Sequence, residues 1–163
     1  MRVIVRYYKK RDARIGPVLL EAYELYRSEE KSGEPADILT ELAERYANTP
    51  DVVVEVVAMD VRGEERAAYA YTSGKGELLF QRPARLRRVY VIDELAVSSQ
   101  SPQPLDKLPS YTPGSEIYVY IGRVAVENPK AKALLLETDK GTRVVMLETA
   151  GVKKDSNSSK APA

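Results

Sequence analysis

The chain of 163 residues contains no cysteine and no histidine. Without cysteine it cannot form a disulfide framework, a thiolate nucleophile or a cysteine-bound zinc site. Without histidine it lacks the side chain that most often acts as a general base or a metal ligand near neutral pH. Any catalysis would have to use carboxylates, lysine, tyrosine, serine or carboxylate-bound magnesium. These absences favour a non-enzymatic function, and we expect neither a cofactor nor a metal site.

Long hydrophobic runs are absent as well. The longest, at residues 52–54 and 56–59, are far shorter than a membrane span. Residues 1–10 already carry four basic side chains, which is unlike a secretory signal, so we expect a soluble, cytoplasmic protein without a membrane partner. Glutamine and asparagine occur only three times each, while Glu, Lys and Arg are plentiful. This composition is typical of proteins from thermophiles, including archaeal ones.

Two amphipathic helices are predicted in the first third of the chain. One starts at Gly16-Pro17 and ends near Ser32-Gly33, with apolar residues at helical spacing: Val18, Leu19, Ala22, Leu25 and Tyr26. The other starts near Pro35 and ends at residues 48–50, with one apolar stripe: Ile38, Leu39, Leu42, Ala43 and Tyr46. We expect both helices to pack on a sheet.

The rest of the chain is predicted to be mainly strand, at residues 2–8, 51–61, 66–72, 77–81, 87–97, 116–127, 131–138 and 142–149. Segment 51–61 is almost continuously apolar, which is typical of a central strand buried on both faces. The predicted class is α+β, with a mainly antiparallel sheet. Residues 1–97 form its core, 98–115 a Pro/Ser-rich connector, 116–152 a three-stranded meander packed on that core within one domain, and 153–163 a disordered tail.

Charge is segregated along the sequence although the total is only +1. Residues 1–14 have a net charge of +5, residues 15–65 of −9 and residues 66–90 of +5. Arg82, Arg85, Arg87 and Arg88 fall within seven residues. Arginine suits bidentate contacts with phosphate and stacking on bases. The two basic blocks therefore indicate an anionic partner.

Tyrosines are interleaved with these basic residues, and Tyr69 and Tyr71 share one face of a predicted strand. Tyrosine rings bordered by arginine are a common way to hold single-stranded nucleic acid. We therefore predict a non-enzymatic protein that binds single-stranded DNA or RNA. Its predicted binding residues are Arg2, Arg6, Tyr7, Tyr8, Lys9, Lys10, Arg11, Arg14, Tyr69, Tyr71, Arg82, Arg85, Arg87 and Arg88.

Two other interpretations fit the same pattern. The tyrosines can be half-buried strand residues and the arginines ion-pair partners of the acidic segment. Opposed charged faces also suit an interaction or scaffold subunit of a larger assembly, with a protein partner or with copies of itself. A carboxylate- or magnesium-dependent nuclease is the third alternative, and it requires acidic side chains that converge in a cleft. Asp51 and Glu55 share a strand face, but they are too close together for the nuclease pattern, and its lysine is replaced by Val57. No catalytic residue is assigned.

Overall fold

The computed structural model describes residues 2–73, 78–93, 107–114 and 117–147. Strands make up 61% of these residues, and the strands with an assigned register pair in antiparallel fashion. The part of the chain described contains one helix, not two. The predicted α+β class, with two N-terminal helices packed on the sheet, is therefore wrong. The fold is a mostly antiparallel sheet with a single short helix.

Ten strands and one helix follow one another along the chain. In order they are β1 Arg2–Lys10, β2 Ala13–Ile15, β3 Val18–Lys31, α1 Pro35–Arg45, β4 Val52–Met59, β5 Glu65–Thr72, β6 Ala84–Asp93, β7 Ser110–Tyr111, β8 Tyr118–Val126, β9 Ala131–Thr138 and β10 Gly141–Met146.

These elements belong to two compact units. Unit 1 comprises Met1–Ala13, Leu20–Ala84 and Tyr118–Arg123. Unit 2 comprises Arg14–Leu19, Arg85–Ile117 and Val124–Ala163. The chain therefore passes between the units several times, and four strands contribute residues to both units: β2, β3, β6 and β8. The predicted packing of residues 116–152 on the 1–97 core stays a prediction.

The sheet of unit 1 has the strand order β8-β3-β1-β4-β5. On one of its faces, valines of β1 and β4 pack with Ile38 and Leu42 of α1 to form a buried apolar cluster. Leu39 and Tyr46 border that cluster, so the predicted stripe of the second helix is confirmed. Tyr8, Tyr23, Val53 and Tyr120 form a second buried cluster. Burial of Val52–Ala58 confirms that β4 is an interior strand.

The predicted first helix is instead the long strand β3. Its buried residues near the start, Val18, Leu20 and Ala22, recur every second position, as in a strand. Leu19, Leu25 and Tyr26, which completed the apparent helical stripe, are exposed. Gly16 has a φ of 59° and joins β2 to β3 in a tight turn, so Gly16-Pro17 does not start a helix.

Unit 2 contains the strand order β10-β9-β6, with β7 paired to β6 and β2 paired to the start of β3. Val89 and Val91 of β6 and Leu134 and Leu136 of β9 lie opposite one another and are buried. Their packing gives this unit its apolar core. The three C-terminal strands β8, β9 and β10 lie within or close to their predicted limits. Their predicted arrangement as a meander is wrong, because β9 pairs with β10 on one edge and with β6 on the other, which leaves no edge of β9 for β8.

Some of the expectations for loops need correction or lie outside the described residues. Residues 78–81 are irregular and not the expected strand, whereas Ser110–Tyr111 in the expected connector form the short strand β7. The predicted tail at 153–163 and most of the connector lie outside the described part of the chain.

Candidate nucleic-acid interface

The N-terminal basic residues of the predicted interface lie close to acidic side chains. Arg2 Nη2 lies 3.1 Å from Glu30 Oε1, and Arg11 Nη1 lies 2.9 Å from Glu24 Oε1, both across unit 1. In unit 2, Arg14 forms two hydrogen bonds with Glu127, and this contact lowers the pKa of the Glu127 carboxyl. Lys10 Nζ is 4.0 Å from Asp12, and Lys9 Nζ is 5.4 Å from the ring centre of Tyr26. Ion pairing therefore accounts for much of the first basic block.

Tyr7 and Tyr8 are buried, so neither is a surface on which a base could stack. The Tyr7 hydroxyl donates a hydrogen bond to Glu29 Oε2 at 2.6 Å, and the guanidinium of Arg27 lies 4.2 Å from the centre of its ring. Burial and the Glu29 carboxylate raise the pKa of Tyr7. A register shift between Tyr7 and Tyr8 relative to β3 marks a bulge at this point of β1. We remove both tyrosines from the interface.

Four side chains converge on Glu55, three from the predicted interface and one, Tyr120, from outside it. Glu55 lies in the middle of β4 and has no exposed surface. Its Oε1 accepts hydrogen bonds from Arg6 Nη1 at 3.3 Å and from Tyr8 Oη at 2.9 Å. Its Oε2 accepts from Arg82 Nε at 3.2 Å and from Tyr120 Oη at 2.5 Å. We call these five residues the Glu55 cluster. All of them belong to unit 1.

The Glu55 cluster is closed to added ligands. Each carboxylate oxygen already accepts two hydrogen bonds, which is its ordinary capacity. Burial and the Glu55 carboxylate raise the pKa of both Tyr8 and Tyr120, so these hydroxyls stay protonated near neutral pH. Arg82 also donates to Glu65 at 2.7 Å, and this hydrogen bond lowers the pKa of Glu65. The arrangement is a satisfied structural network, and Arg6 and Arg82 are committed to it.

Tyr69 and Tyr71 lie on the same face of β5, as predicted, opposite Val56 and Val54 of β4. Tyr69 is 47% exposed and Tyr71 is half-buried. This is the face that α1 covers, because Val54 and Val56 pack with Ile38 and Leu42. Leu39 and Glu44 of the helix line a groove together with Tyr71. No arginine is among the described residues of that lining, so Tyr71 lacks there the arginine border that single-strand binding surfaces show.

Three remaining arginines project from the exposed face of β6 in unit 2. Arg85, Arg87 and Arg88 are exposed, whereas Ala84, Leu86 and Val89 between and beside them are buried. The register against β9 moves from Leu86 to Arg88 in one step, so Arg87 is the extra residue of a β-bulge. The bulge turns two consecutive side chains to the exposed side. We call Arg85, Arg87 and Arg88 the β6 arginine face.

Two acidic residues flank the β6 arginine face, whereas the described residues of unit 2 as a whole are basic. Glu137 lies across from Arg88, and Asp139 accepts a hydrogen bond from the backbone N–H of Arg85 at 2.7 Å. The guanidinium of Arg88 lies 6.0 Å from the ring centre of Tyr90. Described residues of unit 2 include nine Lys and Arg against four Asp and Glu, a net charge of +5. The described residues of unit 1 have twelve against fourteen, a net charge of −2.

The nuclease alternative depends on converging carboxylates. Asp51 is exposed ahead of β4 with a φ of 60°, whereas Glu55 is buried within its cluster. Within the described ranges, no group of three or more acidic side chains is placed to hold a metal ion. The same ranges contain no helix long and apolar enough to cross a membrane.

Sequence reasoning did not identify Glu55 as the centre of a cluster. One signal was available: Glu55 is the only charged residue in the run VVVEVVAM. A single carboxylate in a doubly buried strand must find donors. Comparison of the chain with protein-family models, with curated proteins and with solved structures gave no match.

Proposed function

We propose that this protein binds nucleic acid, without catalysing a reaction, through the β6 arginine face. The observation that carries the proposal is the bulge in β6, which exposes Arg87 and Arg88 side by side next to Arg85. Adjacent guanidinium groups are suited to bidentate contacts with neighbouring phosphates. A β-bulge is a common device for re-aiming side chains at a functional site. The positive charge of unit 2 supports an anionic partner.

The composition of this face also narrows the mode of binding. Tyr90, the aromatic residue of β6, is buried beside Arg88 and offers no exposed ring for stacking. Arginine contacts with the phosphate backbone position a protein on nucleic acid and carry no direct sequence information. We therefore expect binding that is independent of sequence and that weakens steeply with salt. The sequence predicted that bases of a single strand stack on tyrosine rings, and this proposal does not include such stacking.

Fluorescence anisotropy with labelled DNA and RNA oligonucleotides, single- and double-stranded, tests the proposal. For three phosphate contacts on duplex DNA we expect the plot of log K against log salt to have a slope of about −2.7. The double variant Arg87→Ala/Arg88→Ala should weaken binding at low salt and bring the slope closer to zero by about 2. Arg2→Ala, which removes an arginine paired with Glu30, is the matched control and should leave the slope unchanged.

Two results would overturn the proposal. The first is no detectable binding of any of the four oligonucleotides at low salt. The second is a double variant whose affinity and salt slope equal those of the native protein, since the phosphate contacts would then lie elsewhere.

A further inference from the structure

β5 is the last strand in the order of unit 1, and among the described residues it pairs with β4 alone. Its backbone pairing shows which groups point away from β4. The N–H of Ser73 donates to the carbonyl of Val52 at 2.9 Å, so these two residues form a hydrogen-bonded pair. Because such pairs alternate along an antiparallel ladder, Tyr71 and Tyr69 are bonded to β4. The N–H and C=O groups of Ala68, Ala70 and Thr72 therefore point outward.

The other edge of β4 supports this assignment independently. The N–H of Lys10 donates to the carbonyl of Asp51 at 3.0 Å, which makes Tyr8–Val53 and Arg6–Glu55 the hydrogen-bonded pairs with β1. Val53 and Glu55 thus bond to β1, which leaves Val54 and Val56 to bond to β5. The pairing of β4 with β5 and the pairing of β4 with β1 thus lead to the same result: the N–H and C=O groups of Ala68, Ala70 and Thr72 point outward.

Over residues 67–72 this outward edge carries none of the usual protection against strand addition, because the bulge of β5, between Glu65 and Ala67, lies before this stretch. Native proteins block exposed edges with lysine, proline, inward-pointing charges or bulges. The charges of β5 are confined to its beginning, where Glu65 pairs with Arg82 and Arg66 pairs with Asp60. The remaining six residues, 67–72, have the sequence AAYAYT and contain neither a charged residue nor proline.

An apolar groove of about 430 Å³ runs between α1 and β5 on the face that carries Tyr69 and Tyr71. Its walls are Leu39, Thr40, Ala43, Glu44 and Ala47 on the helix side and Ala70 and Tyr71 on the strand side. A strand added beside β5 would direct every second side chain into this groove, because the side chains of a strand alternate between faces. Edge and groove together provide backbone pairing and side-chain pockets.

We propose that β5 and α1 dock an extended segment of a partner protein, which joins the sheet as an additional strand beside β5. Strand addition draws its affinity from main-chain hydrogen bonds and its specificity from alternate side-chain pockets. The segment has apolar residues at positions i and i+2, opposite Tyr69 and Tyr71 on the face that α1 covers, and the residue opposite Tyr71 enters the groove. It carries a lysine or arginine next to them, because Glu44 is the ionic residue among the described residues that line the groove.

Charge also distinguishes this partner from a second copy of the chain. Residues 34–46 contain four acidic side chains and one arginine, and that arginine, Arg45, pairs with Glu41 at 3.0 Å. Antiparallel pairing of β5 with β5 of another copy would place two such acidic helices on the same face of the joined sheet. Like charges across that face disfavour the homodimer, whereas a basic segment complements it.

Synthetic heptapeptides, labelled with a fluorophore, test the site on the full-length protein. The main probe has valine or leucine at positions 3 and 5, serine or threonine between them and lysine at both ends. One comparison peptide has the two apolar residues at consecutive positions, and another has glutamate at both ends. We expect the main probe to bind at least about tenfold more tightly than either comparison peptide.

Ala70→Pro is the decisive variant, because the Ala70 N–H points away from β4 and its loss removes no bond of the β4–β5 ladder. It should weaken binding of the main probe about tenfold or more, while the control Ala70→Ser retains it. Glu44→Lys, at an exposed helix position, should reverse the preference from lysine-flanked to glutamate-flanked peptide. That reversal cannot arise from partial unfolding.

Three outcomes would overturn the proposal. They are equal binding of all three peptides, unchanged binding by Ala70→Pro, and concentration-dependent dimerisation that Ala70→Pro abolishes. The last outcome would assign the edge to a second copy. The site lies within unit 1 and uses none of the β6 arginine face, so neither result depends on the nucleic-acid proposal.

Discussion

Replacing Glu55 with glutamine is the most informative perturbation of the fold. The two side chains have the same shape, so the substitution creates no cavity. It removes the charge that Arg6 and Arg82 neutralise, and it turns one acceptor oxygen into an NH₂ group. That group would face two donors, an arginine and a tyrosine hydroxyl, at distances of 2.5–3.3 Å. At least one hydrogen bond of the Glu55 cluster is lost, because a guanidinium and an NH₂ group are both donors.

The size of the effect follows from burial. Glu55 is 0% exposed, and breaking a buried ion pair by removing one partner costs about 3–5 kcal/mol. Arg6 and Arg82 are 27% and 31% exposed, and both also lie within 4 Å of Glu65, so water and a second carboxylate compensate them in part. We therefore expect Glu55→Gln to lower the free energy of unfolding by an amount at the lower end of this range, about 3 kcal/mol. For a chain of this length that corresponds to a fall in Tm of about 6–12 °C.

Thermal and urea unfolding followed by circular dichroism measure this change. Glu30→Gln is the matched control, because it removes a carboxylate from the pair with Arg2, in which both side chains are 55% exposed. An exposed pair contributes about 1 kcal/mol or less. A Glu55→Gln protein no less stable than the Glu30→Gln protein would refute the structural role we assign to the cluster.

Further predictions concern a glycine, the cluster tyrosines and pH. Gly16→Ala should destabilise by about 2–3 kcal/mol in urea unfolding, because φ is 59° and the added methyl would collide with the Tyr111 ring, whereas Gly63→Ala, with open space, should cost only about 1 kcal/mol. Tyr8→Phe and Tyr120→Phe should each lower stability by about 1.5–3 kcal/mol, with a non-additive double variant. The folded-state pKa of Glu65 and Glu29 is lowered, so the stability they contribute is present above about pH 5 and lost as pH falls below about 4. The folded-state pKa of Tyr8 and Tyr120 is raised, so their contribution is present below about pH 10 and lost above it. A stability profile that stays flat from pH 3 to pH 11 would contradict both assignments.

The fold was predictable where one periodicity dominated. Residues 52–59 have a nearly unbroken apolar pattern, and residues 38–46 have a helical one without a competing strand pattern. In residues 18–31 both patterns were present, because Val18 and Ala22 fit a spacing of four as well as a spacing of two. Leu19 and Leu20 distinguish the two patterns. Leu20 is buried and Leu19 is exposed, which is the alternation of a strand. Pairing with β1 on one edge selected the strand, and that partner lies outside any local window.

The candidate site shows a similar division. The sequence shows that arginines cluster near position 85. It does not show which of them are exposed, because their exposure depends on one bulge in β6. Arg82 lies only three residues before Arg85, yet it turns to Glu55 and Glu65. Tyr7 and Tyr8 were predicted to contact nucleic acid because they stand among basic residues in the sequence. Both faces of β1 are buried at that point, and composition does not reveal this.

The position of Glu55 has a consequence for how the chain finds its strand alignment. Five of the eight residues of β4 are valine, so shifting β4 by two residues against β1 would leave nearly the same apolar faces in contact. In the native alignment Glu55 lies opposite Arg6. A shift of two residues in one direction would place this carboxylate opposite Ile4, and the buried charge would lose its cross-strand arginine. Glu55 thus acts as an alignment mark in an otherwise repetitive strand, and it penalises misaligned pairings during folding.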